Sequence, residues 1–119
     1  MTSTTTEAQL VADVRQALGR EPDLTLWRNN TGGVMAPGRG SRERLVRYGL
    51  CRGSADLVGI LAPAGRLVAL ECKTMTGRTT PEQDLFLDLV RSRGGFAAVV
   101  RSVEDARQAI ARARGGANA

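Results

Sequence analysis

The sequence of 119 residues contains no histidine, and this absence excludes several kinds of chemistry. Without imidazole the chain cannot build a Ser-His-Asp or Cys-His catalytic set, a histidine-based nuclease motif or a zinc site held by imidazole. Its two cysteines, Cys51 and Cys72, do not have a metal-binding spacing, and a short secreted scaffold would usually carry more. Any metal must therefore be held by oxygen ligands, which favours Mg²⁺, Mn²⁺ or Ca²⁺.

Aromatic residues and long apolar runs are also scarce. Only 3% of the residues are aromatic, so the core must be built from aliphatic side chains. No apolar stretch approaches the roughly 18–20 residues of a membrane-spanning helix, and the Thr-rich start does not look like a secretion signal. We therefore expect a cytoplasmic protein without a membrane partner. We also expect a single domain over residues 1–119, since this length suffices for one core but not for two.

Positive charge is concentrated in one segment. Residues 24–55 contain six arginines and one acid, Glu43, so this segment accounts for the whole net charge of +5. The arginines are Arg28, Arg39, Arg42, Arg44, Arg47 and Arg52. A neutral body that carries one basic segment indicates a binding surface for a polyanion.

Only one of the seventeen basic residues is a lysine. Lys73 ends an apolar run and follows the carboxylate of Glu71 by two residues. Lysine offers a compact charge on a flexible stem with a tunable pKa, which arginine does not. The position therefore suits chemistry on a phosphate or on water beside a metal, although chance placement of a single lysine is the simpler alternative.

Hydrophobic spacing predicts a helix, three or four strands, a helix, a strand and a helix. The helices are predicted from about Thr5 to Gly19, from the capping box at Thr80 to Gly94, and from Ser102 to about Ala113. The second helix has an apolar stripe of Leu85, Phe86, Leu89 and Val90. The strands are predicted at 24–28, 45–48, 55–61, 66–73 and 96–100. We expect irregular backbone over 29–42 and frayed ends at 1–4 and 115–119.

The four-residue loop 62–65 predicts a hairpin whose register brings two carboxylates together. Pairing Leu61 with Arg66 and continuing inward places Asp56 opposite Glu71. Directly opposed residues have Cβ atoms about 4.5–5.5 Å apart, so two such acids repel unless a cation or a proton lies between them. This arrangement suits a divalent metal ion and the hydrolysis of a phosphate ester.

The strand face that carries Asp56 and Glu71 points either to the core or to solvent, and the other side chains on that face decide between these two interpretations. Lys73 lies on it together with the apolar residues Leu67 and Ala69, so we expect the face to point to the core. The alternative is a solvent-exposed group of charges at the open end of a hairpin, which is common when only Asp and Glu-x-Lys are present.

Two more residues have both a site role and an ordinary role open to them. Glu7 precedes Val11 and Val14 by four and seven residues, so it lies on the apolar face of the first helix and needs a partner. It is equally well explained as a first-turn acid favoured by the helix dipole. Gln83 either closes the capping box or reaches Lys73 or a phosphate.

The order and spacing of several short segments are typical of a known family. They are Glu7 in the first helix, Trp-Arg-Asn-Asn-Thr-Gly at 27–32, Gly-Ser-Ala-Asp-Leu at 53–57, Glu-Cys-Lys at 71–73, 77–83 and 95–102. On these residues the chain resembles the VRR-NUC domain, a branch of the PD-(D/E)xK nuclease superfamily, from about Glu7 to Ile110. The resemblance implies an α/β restriction-endonuclease-like core, with a mixed central β-sheet flanked by helices in the order α-β-β-β-α-β-α.

The resemblance also implies a role for each site residue. Asp56, Glu71 and the backbone carbonyl of Cys72 would ligate Mg²⁺ or Mn²⁺. Lys73 would orient the attacking water and stabilise charge on the phosphate. Glu7 would complete the site directly or through water, and Gln83 would hold the lysine or the substrate.

DNA is the implied partner, and no organic cofactor is expected. The implied DNA-binding residues are Arg28, Asn30, Arg39, Arg42, Arg44, Arg47, Arg52 and Arg78. Few aromatics lie near the basic segment, which disfavours stacking on single strands and favours duplex or branched DNA.

We therefore expect a metal-dependent DNA endonuclease, selective for Holliday junctions or other branched DNA and acting as a homodimer. A bacterial or phage repair role follows from the resemblance alone. The alternatives are a basic DNA-binding module without catalysis, and a nicking or flap nuclease without junction selectivity. A sequence-specific restriction enzyme is a further rival, but no insertion for target recognition is evident.

Overall fold

The computed structural model describes residues 5–40 and 42–119, which form one helix, five successive strands, a second helix, a sixth strand and a third helix. The helices are α1 (Glu7–Leu18), α2 (Pro81–Ser92) and α3 (Val103–Arg114). The strands are β1 (Leu24–Arg28), β2 (Gly32–Pro37), β3 (Glu43–Tyr48), β4 (Leu57–Leu61), β5 (Arg66–Cys72) and β6 (Phe96–Val100).

Helix boundaries follow from capping residues. Thr6 accepts a hydrogen bond from a backbone N–H in the first turn of α1, and Ser102 does the same for α3. At α2 the predicted capping box is confirmed, since Thr80 and Gln83 each accept a hydrogen bond from the other's backbone N–H.

A four-stranded mixed sheet in the order β1-β4-β5-β6 forms the centre of the molecule. β4 is antiparallel to β1 and β5, whereas β5 is parallel to β6. The parallel pair requires a crossover, which α2 supplies. The predicted restriction-endonuclease-like α/β architecture is confirmed.

The prediction of irregular backbone over 29–42 is wrong for residues 32–37. Residues Gly32–Pro37 form β2, which pairs with β3 in a separate two-stranded sheet. Cross-strand pairs such as Val34 with Val46 and Met35 with Leu45 support it. Glycine and proline residues in and around Gly32–Pro37 leave no clear alternation of apolar and polar residues. The strand is therefore evident only from its pairing with β3. Five strands therefore precede α2 among the described residues, where three or four were predicted. We call β2, β3 and the turn between them the basic hairpin.

The prediction of a frayed C-terminus over 115–119 is also wrong. The backbone N–H of Ala97 in β6 donates to the carbonyl of Asn118 over 3.1 Å, and the Arg112 guanidinium donates to the carbonyl of Ala119 over 3.2 Å. These bonds hold the tail against β6 and α3. Residues 1–4, the other predicted frayed end, lie outside the described residues.

The two faces of the central sheet are packed differently. One face carries the main aliphatic core, in which residues such as Leu57, Leu70 and Cys72 pack against α1 and α3. The other face is covered by α2, whose Leu87 packs with small side chains such as Ala69. Small residues let the helix lie close to the sheet.

The hairpin register predicted for β4 and β5 is confirmed, since Leu61 pairs with Arg66 and Ile60 with Leu67. The predicted burial of that face is only partly right. Ala69 is fully buried, but Ile60 and Leu67 are each 43% exposed. The cause is a groove that separates the hairpin end of the sheet from α2, with Leu67 in its lining.

The predicted apolar stripe of α2 also needs correction. Val90 is buried and Phe86 is partly buried, but Leu85 and Leu89 are 70% and 52% exposed. Leu87 occupies the buried position instead. A sheet face of small side chains needs only a narrow apolar strip from α2, so two leucines remain outside.

We predict that Leu70→Ala and Leu67→Ala, both in β5, differ strongly in cost. Leu70 is fully buried, so its truncation leaves a cavity and should lower the free energy of unfolding by about 2–5 kcal/mol. Leu67 should cost less than about 1 kcal/mol. Urea unfolding of both variants tests this, and equal costs would contradict the assignment of the two faces.

Candidate active site

One end of the central sheet collects the charged residues that the sequence singled out. Oxygen atoms of Glu7, Asp56 and Glu71 lie within 4.8 Å of one another. The Lys73 Nζ atom lies 3.7 Å from Glu7 Oε1 and 3.8 Å from Glu71 Oε1. Four residues from α1, the approach to β4 and the end of β5 therefore form one cluster, which we call the carboxylate–lysine cluster.

Strand alternation places the β5 residues. Glu71 and Lys73 point to one side of the sheet, and both are buried, at 1% and 7% exposure. Cys72 points to the opposite side and is fully buried in the aliphatic core. Burial is the main cause that raises the pKa of the Cys72 thiol to about 12. The cysteine therefore serves packing, and its side chain stays uncharged.

Asp56 lies just before β4, beyond the last backbone pair between β4 and β5. Its Oδ2 atom accepts a hydrogen bond from the Cys72 backbone N–H over 2.8 Å. This bond continues the pairing of the two strands through a side chain. It directs the Asp56 carboxylate towards the end of β5 that carries Glu71.

Asn29 is a functional candidate that the sequence did not identify. Its side-chain amide donates to Ser54 Oγ over 2.7 Å and to the Ala55 carbonyl over 2.9 Å, and its Oδ1 accepts from the Leu50 N–H over 3.1 Å. Its backbone N–H also donates to the Asp56 carbonyl over 2.7 Å. Asn29 thus holds the loop that leads from the basic hairpin to Asp56. The Asn-Asn pair was visible, but the sequence does not show which asparagine turns inward.

Arg101 is a second residue that the sequence did not identify. Its guanidinium donates to the carbonyls of Thr74 and Gly77 over 2.6 and 2.7 Å. These bonds hold the loop that follows Lys73 and leads to Arg78. No local pattern signals this role, because Arg101 is 24 or more residues away from its partners.

Gln83 closes the capping box and also contacts the carboxylate–lysine cluster, but through Glu71 and not through Lys73. Its Oε1 closes the capping box by accepting from the Thr80 N–H over 2.9 Å. Its Nε2 donates to Glu71 Oε1 over 3.2 Å. Both descriptions of Glu7 hold as well, since it lies in the first turn of α1 and contacts Lys73.

Glu71 is the electrostatically unusual member of the cluster. Among the described residues its buried Oε2 atom has no hydrogen-bond partner. Burial first, and then the neighbouring Asp56 carboxylate, raise the pKa of Glu71 to about 9, against the lowering effect of Lys73. Without a cation, Glu71 therefore keeps a proton at neutral pH.

The donor set fits a divalent cation. Three carboxylates converge, and the buried oxygen of Glu71 lacks a partner, which is costly unless a ligand occupies it. Hard cations such as Mg²⁺ and Mn²⁺ prefer oxygen ligands of this kind.

The expected DNA-binding residues occupy two regions. Arg28 and Asn30 line a cleft of about 230 Å³ together with Glu7 and Asp56. The other six have exposed side chains and lie in the basic hairpin, in the loop that follows it, or in the loop after Lys73. They are Arg39, Arg42, Arg44, Arg47, Arg52 and Arg78. A cleft beside the carboxylates thus opens next to positive charge.

The mixed sheet, with an aspartate before one strand and Glu-x-Lys at the end of its neighbour, places the protein in the restriction-endonuclease-like class. The VRR-NUC domain model matches residues 36–104, which is more than half of the chain. The chain therefore belongs to the VRR-NUC domain family, and the domain is that of a nuclease. The matched range contains Asp56, Glu71, Lys73 and Gln83, whereas Glu7 precedes it. The chain matches no curated protein. None of the helices described is long and apolar enough to cross a membrane.

We predict that Glu71→Gln stabilises the metal-free protein at alkaline pH. The folded wild type retains a proton on Glu71 up to about pH 9, whereas the unfolded chain releases it near the ordinary value of 4.5. Wild-type stability should therefore fall as pH rises between these values, because the unfolded state binds fewer protons. Glutamine does not titrate, so the variant should exceed wild type by about 1–3 kcal/mol at pH 8.

Urea unfolding at pH 5.5 and pH 8 with a chelator measures this difference. Glu104→Gln, an exposed first-turn glutamate of α3, is the matched control and should keep the wild-type pH dependence. The same pH dependence in wild type and Glu71→Gln would contradict a proton held by Glu71.

Proposed function

We propose that this single-domain nuclease is an Mg²⁺- or Mn²⁺-dependent endodeoxyribonuclease that hydrolyses phosphodiester bonds of branched DNA, such as Holliday junctions, as a homodimer. The observation that carries the proposal is the convergence of Glu7, Asp56 and Glu71 around a buried oxygen without a partner, with Lys73 beside them. A cytoplasmic repair role in a bacterium or phage is consistent with this activity.

Asp56, Glu71 and the Cys72 carbonyl would hold the ion, and Glu7 would complete its shell directly or through water. When bound, a divalent ion supplies positive charge that activates water and stabilises the charge developing on the phosphate. Glu71 must lose its proton to become a ligand, so cation affinity should rise with pH across the neutral range.

Lys73 is suited to contact the water and the phosphate. Its ammonium is buried and is oriented by Glu7 and Glu71, so little conformational freedom is lost when substrate binds. Gln83 orients Glu71 through its amide, and the Cys72 N–H orients Asp56. The reacting groups are thus held in place by secondary structure before substrate arrives.

The basic hairpin supports a DNA contact beyond the cut site. It forms a sheet of its own and makes few contacts with the other described elements, so its arginines are free to follow a phosphate backbone. Asn29 links the base of this hairpin to the Asp56 loop, which would place the bound backbone relative to the cluster. One cluster cuts one strand, and a two-fold dimer cuts two.

We predict that Asp56→Asn and Lys73→Ala each reduce cleavage of a four-way junction by about 10²–10⁴-fold, with DNA affinity retained. Both remove groups that act on the reacting phosphate, whereas the arginines that hold DNA remain. Asp13→Asn, an exposed aspartate of α1, is the matched control and should cleave normally. Cleavage with Mg²⁺ or Mn²⁺ and binding with Ca²⁺ are measured on junction, flap and plasmid DNA.

The same measurements separate the rival functions. A basic binding module would bind DNA but show no metal-dependent cutting by wild type. Equal rates on all three substrates would indicate a nicking or flap nuclease without junction selectivity.

We predict that Arg44→Ala and Arg47→Ala, in β3 of the basic hairpin, lower the salt dependence of DNA binding. Each lost phosphate contact should reduce the slope of log affinity against log salt by about 0.9. Arg107→Ala, an exposed arginine of α3, is the control and should leave the slope unchanged. Fluorescence anisotropy at several salt concentrations measures the slope, and wild-type slopes for both hairpin variants would exclude the hairpin from DNA contact.

A further inference from the structure

The outer face of α2 carries an exposed stripe with opposite charges at its two ends. Glu82, Leu85, Leu89 and Arg93 follow one another at spacings of three, four and four residues, which puts them on one helix face. Leu85 and Leu89 are 70% and 52% exposed, and Glu82 and Arg93 are also exposed. We call these four residues the α2 stripe.

The stripe is continuous with apolar surface on the sheet. Leu89 and Arg93 line a groove of about 700 Å³ whose other walls include Leu67 and Phe86. Leu67 pairs with Ile60, and both are 43% exposed. A contiguous apolar patch of this kind on a small protein usually marks an interaction site.

The order of charges in the stripe selects a second copy of the chain as its partner. We propose that two copies pair through their α2 stripes in antiparallel orientation around a two-fold axis near the middle of α2. Leu85 then packs against Leu89 of the partner subunit, and Glu82 meets Arg93 of the partner subunit, with the same contacts repeated on the other side. A parallel pairing would instead bring like charges together.

Glu82 remains available for this contact. Its ion pair with Arg52 of the same chain is 3.9 Å long, and the two side chains are 47% and 68% exposed. Exposed pairs of this length contribute little, so an interfacial arginine competes well for the carboxylate.

The basic hairpin is a second exposed apolar surface among the described residues, and its charge argues against pairing of two hairpins. Val34, Met35 and Leu45 are each more than half exposed there. Four arginines accompany them in the hairpin: Arg39, Arg42, Arg44 and Arg47. Two copies joined through this surface would repel each other, whereas DNA would neutralise the charge.

The pairing also determines where the two carboxylate–lysine clusters lie in the dimer. Its meaning for cleavage rests on the proposed function. Gln83, which contacts Glu71, lies in the first turn of α2. An antiparallel α2 pair would therefore place the two carboxylate–lysine clusters towards opposite ends of a helix pair about 18 Å long. Two strands at a junction could then be cut by one dimer.

The first test measures oligomeric state by sedimentation velocity, without DNA or metal. Wild type should be a dimer at low micromolar concentration, and Leu85→Glu or Leu89→Glu should weaken dimerisation by about 100-fold or more. Met35→Glu, an equally drastic change at an exposed residue of the basic hairpin, should remain a dimer. A monomeric wild type, dimeric leucine variants or a monomeric Met35 variant would overturn the proposal.

The second test changes surface charges and does not depend on the leucine variants folding. Glu82→Arg and Arg93→Glu should each weaken dimerisation by about tenfold, because each creates two like-charge contacts. An equimolar mixture of the two variants should dimerise like wild type, since the mixed dimer restores both opposite-charge contacts. A mixture that dimerises no better than the separate variants would overturn the antiparallel pairing.

The results of both dimerisation tests are independent of nuclease activity. Lys73→Ala should reduce cutting by about 10²–10⁴-fold while leaving the dimer intact, and Leu89→Glu should remain able to nick DNA. Failure of the dimer and failure of the nuclease are therefore distinguishable.

Discussion

The burial of Glu71 is the constraint on which the site depends. A carboxylate with 1% exposure, beside two other acids and with one oxygen lacking a partner, is unfavourable as an anion. The nearby Lys73 ammonium compensates only in part, and the pKa of Glu71 is raised to about 9. The free protein therefore holds a proton where a divalent cation fits. The burial that disfavours the Glu71 anion in the metal-free protein is thus the same feature that suits the cluster to a divalent cation.

The surrounding structure keeps this strained cluster in place. β5 divides its side chains between the two faces of the sheet, so that Cys72 anchors the strand in the core while Glu71 and Lys73 face the site. Capping of α2 delivers Gln83 to Glu71, and Asn29 holds the loop before Asp56. Each catalytic candidate is thus positioned by an element that is stabilised elsewhere.

The basic hairpin and the α2 stripe differ in charge, and this difference suits them to different partners. The basic hairpin combines arginines with apolar residues and has few contacts with the rest of the described chain, which suits a long polyanion. The α2 stripe combines two leucines with charges of opposite sign, which suits a copy of itself. In the proposed dimer, cutting, DNA binding and self-association occupy separate surfaces of each copy.

Much of the β5 end of the site was predictable because it depends on local rules. A four-residue loop sets a register, and alternation along a strand then assigns faces, so the proximity of Asp56 and Glu71 followed from counting. The capping box of α2 was equally local. The strand β2 was missed because its Gly and Pro residues have no apolar alternation of their own, and its regularity comes from pairing with β3.

The sequence alone determined the residue types of the site, the register of its two central strands and the start of each helix, since these follow from contacts between near neighbours in the chain. Tertiary structure decided that Glu7 joins the cluster, that Asn29 rather than Asn30 turns inward, and that Leu85 and Leu89 stay outside. These outcomes depend on how distant elements pack against one another. The sheet face beneath α2 is narrow and consists of small residues, so it cannot cover Leu85 and Leu89. The spacing of apolar residues within the helix does not indicate how wide that face is.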